Sequence, residues 1–185
     1  MSSMKIRRTK EKYIETVVAE MEKEFGYKNV MAVPKIERVV VNVGIGRIAK
    51  EGDKVEEVVN ALSAITGQKV VKTKAKKAIS GFKVREGMEV GVKVTLRGKR
   101  MWDFIDRLIN ATLPRTRDFQ GINAKAVDTH GNLNLGIKEH MIFPEILPER
   151  VRHMFGLQVT VSTTAKSRTE GVALFKHLGF PIKND

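Results

Sequence analysis

The sequence predicts an α+β protein: a single domain over residues 1–185, with an open, largely antiparallel sheet, helices packed on one face and a long protruding basic loop. Two observations predict this class. Apolar residues recur at helical spacing in several segments, and another segment alternates strictly between apolar and other residues. A chain of 185 residues that is 42% hydrophobic and 30% charged is also long enough to bury one core.

The predicted helices combine apolar spacing with start and stop residues. The first spans 9–25, with Thr9 as candidate N-cap and Gly26 as stop. The others run from near Lys54 to Gly67, from Met101 towards Pro114, and from the capping-box residue Ser167 through Leu178. A shorter helix is expected from Pro148 to Phe155.

The clearest predicted strand spans 88–96. Its residues Met88, Val90, Val92, Val94 and Leu96 alternate with mostly polar ones, so one face enters the core and the other faces outward. The remaining expected strands are Ile36–Val43, the short pair Val70–Val71, a hairpin of 123–128 with 133–137, and 157–161.

The charge balance restricts the function. There are 34 Lys and Arg against 21 Asp and Glu, which gives a formal net charge of +13 and a pI near 10.0. Such a field attracts polyanions, so nucleic acid is the expected partner, and a merely basic enzyme is the alternative.

Several kinds of site are excluded or disfavoured. The chain has no Cys, which excludes disulfides, thiolate zinc sites and Cys nucleophiles. The histidines lack metal-site spacing and are interpreted as surface or packing residues, so no metal is predicted. No apolar run approaches the ~20 residues of a membrane span. We therefore expect a cytoplasmic protein that does not contact a membrane.

The stretch "VVVNVGIGRIA" (39–49) contains Gly44-x-Gly46, a spacing that dinucleotide-binding enzymes place after their first strand. In those enzymes a helix begins at the glycines, and an acid ~20 residues later holds a ribose hydroxyl. Here residues 50–53 intervene before the helix, and 61–77 contains no Asp or Glu. A nucleotide-dependent enzyme that uses Gly44 and Gly46 is therefore only the alternative, and no cofactor is predicted.

Carboxylates and hydroxyls give no catalytic pattern either. Asp103 and Asp106 share a helix face, but near Arg100 and Arg107 they are interpreted as surface ion-pair partners. No nearby His completes a nucleophile with the hydroxyls of 162–164. The sequence predicts a protein that is not an enzyme.

The densest cationic run is "KVVKTKAKKAISGFKVR" (69–85), which contains no acid. Lys ammoniums suit phosphates, Gly81 permits close approach, and Phe82 can stack or insert. The alternative is a solvated loop with Phe82 tucked beneath it. The candidate RNA-facing residues of this loop, taken as 72–87, are Lys72, Lys74, Lys76, Lys77, Ser80, Gly81, Phe82, Lys83 and Arg85.

The outward face of the sheet is a second candidate surface. Lys93, Thr95 and Arg97 share one face of their strand, and Arg38 and Asn42 share one side of theirs. Gln68 lies just before the short strand. The set Arg38, Asn42, Gln68, Lys93, Thr95 and Arg97 can bind phosphates, sugar hydroxyls and base edges of RNA. Because only 6% of the chain is aromatic, recognition of RNA shape is more credible than stacking on single strands.

Three segments carry a family resemblance: "TGQKVVKTKAKKAISGFKVREGMEVGVKVTLRG" (66–98), "LPRTRDFQGINAKAVDTHGNLNLGIKE" (113–139) and "IFPEI" (142–146). Together with "MAVPKIERVVVNVGIG" (31–46), they resemble the bacterial large-subunit ribosomal protein L-five family in order along nearly the whole chain.

The resemblance implies a ribosome-bound structural protein of the central protuberance that binds 5S rRNA, with Asn42, Gln68 and Thr95 among its contacts. It implies that the basic loop approaches P-site tRNA. It also implies an intersubunit bridge to small-subunit protein S-thirteen, and 23S rRNA and other 5S-rRNA-binding proteins as further partners. The implied bridge side comprises Arg115, Arg117, Asp118, Phe119, Lys138 and Glu139.

Overall fold

The computed structural model describes residues 8–49, 51–82, 84–117 and 119–183. Its α-helices are α1 (Thr9–Lys12), α2 (Val18–Phe25), α3 (Gly52–Thr66), α4 (Gly98–Arg107) and α5 (Arg168–Leu178). A π-helical segment, Tyr13–Val17, joins α1 to α2, and another, Leu108–Thr112, continues α4. The helices predicted over 9–25, to Gly67, towards Pro114 and through Leu178 are confirmed.

The strands are β1 (Ile36–Gly44), β2 (Val71–Lys74), β3 (Glu89–Leu96), β4 (Leu133–Ile137) and β5 (Leu157–Thr163). They form one open antiparallel sheet in the order β2-β3-β1-β5-β4. The predicted α+β class with its antiparallel sheet is therefore confirmed.

The chain divides into two compact units. The first takes its described residues from Met1–Arg38, Arg97–Asn134 and Val161–Asp185, and the second comprises Val39–Leu96 and Leu135–Thr160. The core of the first unit includes Met21, Phe104 and Phe175, all fully buried. That one domain spans 1–185 stays a prediction.

In the second unit, β1 and β3 supply a continuous apolar face. Val41 lies opposite Val94, and Val43 lies opposite Val92, and all four side chains are buried. Helix α3 packs on β3 and buries its own apolar residues, Val55, Val58, Leu62 and Ile65. Met88 and Val90, predicted to face the core, are only half-buried.

Two helix stops act as predicted. Gly26 and Gly67 adopt left-handed φ values of 68° and 64°, and each donates its N–H back to the preceding helix. A side chain with a Cβ is strained in this conformation, so glycine ends these helices at low cost.

The predicted N-cap Thr9 is wrong. Thr9 is the first helical residue, and Asp106 of α4 accepts hydrogen bonds from its N–H at 3.2 Å and from its hydroxyl at 2.8 Å. Asp106 also accepts from Asn110 at 3.2 Å. The carboxylate of Asp106, predicted as a surface ion-pair partner, therefore links the start of α1 to α4 through hydrogen bonds.

The strand predicted over 123–128 is wrong. The amide oxygen of Asn123 accepts the N–H of Lys125 at 2.8 Å and starts a 3₁₀ turn, Ala124–Ala126. Val127 alone bridges to Leu133 of β4. A local cap therefore prevails over strand pairing in this segment.

The helix predicted from Pro148 to Phe155 is also wrong beyond its first turn. A 3₁₀ turn spans Pro148–Arg150, and the N–H groups of Arg152 and His153 then donate to Oε1 of Glu57, at 2.8 and 3.2 Å. Because α3 supplies their acceptor, these N–H groups do not bond back along their own segment.

Candidate nucleic-acid interface

The register of β1 and β3 places three predicted RNA-binding residues on one exposed face of the second unit. Asn42 lies directly opposite Lys93, and Val40 lies directly opposite Thr95. Residues opposite each other in antiparallel strands point to the same side of the sheet. Asn42 and Lys93 are exposed and Thr95 is half-buried, so an amide, an ammonium and a hydroxyl share this face.

Gln68 is brought next to Thr95. It follows Gly67, the stop of α3, and its side-chain Nε2 donates to the carbonyl oxygen of Thr95 at 3.1 Å. Strand β2 begins only at Val71, which pairs with Lys93 of β3. The carbonyl of Thr95 that the Gln68 amide bonds therefore belongs to a part of β3 that β2 does not cover. This bond fixes the side chain of Gln68 against β3.

The two predicted arginines, Arg38 and Arg97, belong to the first unit. Arg38 is half-buried. The guanidinium of Arg97 lies 3.7 Å from the carboxylate of Glu37, and both side chains are exposed. Such an exposed pair contributes little to stability, so Arg97 can leave Glu37 and bind a phosphate at low cost.

The basic loop predicted over 72–87 starts later than expected. Lys72 and Lys74 belong to β2, which pairs with β3, and the ammonium of Lys72 lies 2.9 Å from the carboxylate of Glu89. The connection itself spans 75–88 and is here named the basic hairpin tip. A pair of hydrogen bonds joins Ala75 to Met88 and Gly87 at its base, at 2.8 and 3.0 Å.

Within the basic hairpin tip, a second pair of hydrogen bonds closes a smaller loop. Ile79 and Val84 exchange hydrogen bonds of 2.9 and 3.2 Å around a 3₁₀ turn, Ser80–Phe82. Phe82 is 79% exposed and Ile79 is 51% exposed. The alternative in which Phe82 is tucked beneath the loop is therefore wrong.

Along the sequence, cationic residues of the basic hairpin tip lie on both sides of Ile79 and Phe82. Lys76, Lys77 and Arg85 are exposed, as are Ser80 and Gly81. Lys83, also predicted in this group, lies outside the described residues. An exposed aromatic ring among flexible cations can contact both bases and phosphates of an RNA.

The implied bridge residues are distributed over both units. Arg115 and Arg117 are exposed and Phe119 is half-buried, all in the first unit, whereas Asp118 lies outside the described residues. In the second unit, Lys138 is exposed and Glu139 is half-buried.

The glycines Gly44 and Gly46 do not open a helix. Strand β1 ends at Gly44, and buried Ile45 donates its N–H to the carbonyl of Val90 at 3.0 Å. Helix α3 begins only at Gly52. The helix N-terminus that would hold a pyrophosphate is thus not at the glycines.

The described part of the chain shows neither a metal-binding cluster nor a membrane-spanning helix. Among the side chains that the structure describes, no three of His, Asp or Glu are grouped so as to hold a metal ion. None of the described helices is long and apolar enough to cross a membrane.

Sequence reasoning missed Gln158 of β5 and Gly136 of β4, which line a groove on the sheet beside Asn42. The alternation of buried Leu157, Val159 and Val161 was the available signal. It places Gln158 on the opposite, exposed face.

Two family models match consecutive parts of the chain. The model described as ribosomal protein L5 matches 29–85, and the one described as the C-terminus of the same ribosomal family matches 89–182. The large ribosomal subunit protein uL5 of Colwellia psychrerythraea is 48% identical over 92% of this chain and 94% of its own length. That of Geobacter sulfurreducens is 50% identical over 96% of this chain and 99% of its own. The protein uL5c of Spinacia oleracea is 49% identical over 96% and 69%.

These similarities define a ribosomal protein, a class that builds the ribosome and does not catalyse a reaction. The chain belongs to the ribosomal protein L5 family. It is not an enzyme, so the alternative of a nucleotide-dependent enzyme that uses Gly44 and Gly46 is wrong.

Proposed function

We propose that this ribosomal protein is a structural constituent of the large subunit that binds 5S rRNA and helps attach it in the central protuberance. The observation that carries the proposal is the exposed face shared by Asn42, Lys93 and Thr95. An amide and a hydroxyl each donate and accept hydrogen bonds, which suits ribose hydroxyls and base edges in a wide minor groove. The ammonium of Lys93 suits a phosphate beside them.

Further polar groups extend the proposed contact with RNA. Arg38 and Arg97 of the first unit supply guanidinium groups that suit phosphates of 5S or 23S rRNA. Gln68 of the second unit keeps Thr95 in place through its bond to the carbonyl oxygen of Thr95. The protein acts in the cytoplasm, bound to the ribosome alongside other 5S-rRNA-binding proteins.

The basic hairpin tip has a separate role in this proposal, which is to contact P-site tRNA. Exposed Phe82 packs against the ribose or a base, while Lys76, Lys77 and Arg85 bind phosphates. Removing Phe82 should then weaken P-site tRNA binding to assembled ribosomes and leave 5S rRNA binding unchanged.

The remaining role is an intersubunit bridge to small-subunit protein S-thirteen. The residues proposed for this bridge are Arg115, Arg117 and Phe119 in the first unit, and Lys138 and Glu139 in the second. Support for this role comes from the exposure of Arg115, Arg117 and Lys138 and from the family resemblance.

The test of the first role compares alanine variants in a filter-binding titration with 5S rRNA. Thr95→Ala and Asn42→Ala should each weaken binding by about 2- to 10-fold, as expected for one lost hydrogen bond of about 0.5–1.5 kcal/mol. Lys76→Ala and Lys77→Ala should have smaller effects, because the tip serves tRNA.

A matched control is Thr129→Ala, which removes an exposed side chain of the same type as Thr95 elsewhere. The opposite order, with the tip lysines more important than the sheet residues, would reject the division between sheet and tip. A wild-type protein that binds unrelated structured RNA as tightly as 5S rRNA would reject 5S recognition and indicate a general nucleic-acid chaperone.

A further inference from the structure

Helices α1 and α4 of the first unit border a cleft of about 390 Å³. Trp102 of α4, the only Trp of the chain, lines this cleft and is half-buried. We name it the Trp102 cleft. Ligand sites have volumes of roughly 300–1,000 Å³, so a cleft near the lower end of this range suits a single nucleotide and is too small for a double helix.

The indole of Trp102 is held in place by a second aromatic ring. The ring centroid of Tyr13 lies 5.7 Å from that of Trp102, with the two planes tilted by 36°. The hydroxyl of Tyr13 in turn donates to the carbonyl oxygen of Pro34 at 3.1 Å. An aromatic surface that is already fixed loses little freedom when a flat ligand stacks on it.

Cationic side chains from both helices line the same cleft. Arg8 precedes α1, Lys10 lies within α1, and Lys99 lies in the first turn of α4. All three side chains are exposed. Positive charge is therefore available on both sides of a ligand that stacks on Trp102.

The cleft also contains carboxylates, and two of them already bind groups of the protein. Asp106 accepts the N–H and the hydroxyl of Thr9, and Glu11 accepts the N–H of Arg8 at 3.4 Å. Asp103 is exposed at the cleft. Because the carboxylate oxygens of Asp106 and Glu11 are engaged inside the protein, the cleft favours an anionic ligand over a cationic one.

We infer that the Trp102 cleft binds one unpaired nucleotide of ribosomal RNA, with its base stacked on Trp102 and its phosphates beside Arg8, Lys10 and Lys99. An indole stacks on any base, and ammonium and guanidinium groups bind the flanking phosphates. A peptide seldom places a flat ring beside an anion, whereas every nucleotide does. The inference goes beyond the proposed function, because no residue of this cleft has a role there.

The first test uses the fluorescence of Trp102, which reports on this cleft alone because the chain has no other Trp. A short single-stranded adenine oligonucleotide should quench it saturably. Lys99→Ala should weaken this binding and reduce the fall of log K with log salt concentration by about 0.7, the value for one phosphate of a single strand. The control is Lys125→Ala, which removes an exposed lysine of the same unit outside the cleft.

The second test separates stacking from packing by comparing Trp102→Phe with Trp102→Leu. Binding is followed by the anisotropy of a dye-labelled oligonucleotide, with Phe82→Ala in every protein so that stacking at the basic hairpin tip does not contribute. Trp102→Leu should bind about tenfold more weakly than Trp102→Phe, because only the aromatic ring stacks on a base. Thermal unfolding of both variants checks that each is folded, and equal affinities of two folded variants would overturn the inference.

The third test identifies what occupies the cleft. Fluorescence titrations with 5S rRNA and with 23S rRNA show which of the two supplies the nucleotide. Because the chain has no Cys, Asp103→Cys gives a unique attachment point for a photoactivated cross-linker in assembled large subunits. A cross-link to rRNA would support the inference, whereas a cross-link to protein alone would overturn it and indicate that a protein segment fills the cleft.

The remaining outcomes separate this inference from the proposed function. If RNA binds without changing the fluorescence of Trp102, the cleft inference is overturned and the proposed function stands. If neither rRNA quenches Trp102, the cleft inference is also overturned, even where the adenine oligonucleotide does. If 23S rRNA quenches Trp102 but filter binding shows no preference for 5S rRNA, the cleft inference stands and the proposed function is overturned.

Discussion

His140 is a buried histidine whose surroundings favour the neutral imidazole. Its ring stacks on Phe155 with centroids 3.8 Å apart, and Nδ1 accepts the N–H of Phe155 at 3.4 Å. Burial lowers the pKa of His140, and the nearby carboxylate of Glu57 opposes this shift without reversing it. The ring therefore has a packing role, one of the two roles that the sequence predicted for the histidines.

The lowered pKa of His140 predicts a pH dependence of stability. The unfolded chain takes up a proton near pH 6.5, before the folded protein does, so this part of the stability is complete above that pH and is lost as the pH falls from there through the lower pKa of the folded protein. One proton changes the free energy of unfolding by at most about 1.4 kcal/mol per pH unit.

The measurement is urea unfolding at pH 7.5 and 5.5 for wild type and His140→Phe. The variant loses the acceptor for the N–H of Phe155 at both pH values, so its penalty is constant. Wild type should lose more stability than the variant between the two pH values. Identical losses would show that His140 does not titrate as its burial requires.

Asp128 shows how one residue fixes a turn. Its carboxylate accepts the N–H groups of His130 and Asn132, at 2.9 and 2.8 Å, and the side-chain amide of Asn132 at 3.0 Å. Burial alone would raise the pKa of Asp128, but these hydrogen bonds and the nearby His130 hold it below its usual value. The turn before β4 is thus set by Asp128 and not by pairing with a preceding strand.

At the scale of elements, helix α5 meets the turn before β4 through two glycines. A Cβ on Gly171 would lie 2.5 Å from the Cα of Gly131, and Gly131 itself has a φ of +76°. Main chain contacts main chain here, so neither position has room for a side chain.

This contact predicts that Gly171→Ala destabilises the protein by about 1–3 kcal/mol, the usual cost of overpacking, although alanine favours helices. Urea unfolding measures the effect, with Gly52→Ala as the control because its added methyl would meet nothing within 4 Å. A Gly171→Ala variant as stable as that control would show that α5 can shift away from the turn at no cost.

At the scale of the whole molecule, the net charge of +13 makes salt a sharp probe of RNA binding. Each phosphate neutralised adds about 0.7–0.9 to the fall of log K with log salt concentration. Lys93→Ala should therefore reduce this slope by about 0.7–0.9, because it removes one phosphate contact. Thr95→Ala should weaken binding at every salt concentration without changing the slope, and equal slopes for both variants would contradict the role assigned to Lys93.

The sequence by itself determined the α+β class, the main helices with their stops, the alternating strand β3, the basic charge and the family. These depend on local spacing, on composition or on long ordered motifs, which are all readable along the chain. The failures at Thr9, at 123–128 and at 148–155 share one cause, which is competition for hydrogen bonds. In two of them an acceptor distant in sequence, on Asp106 or Glu57, takes the hydrogen bonds, and in the third the Asn123 cap competes with strand pairing.

Only the tertiary structure decided which polar residues share a surface. Residues distant in sequence are joined by the register that sets Asn42 opposite Lys93, by the bond from Gln68 to Thr95 and in the groove beside Gln158. The exposure of Phe82 depends on what packs around it. Periodicity tells which side of its own strand a residue occupies. It does not tell which residue of another strand lies beside it, because register is set by packing across the whole sheet.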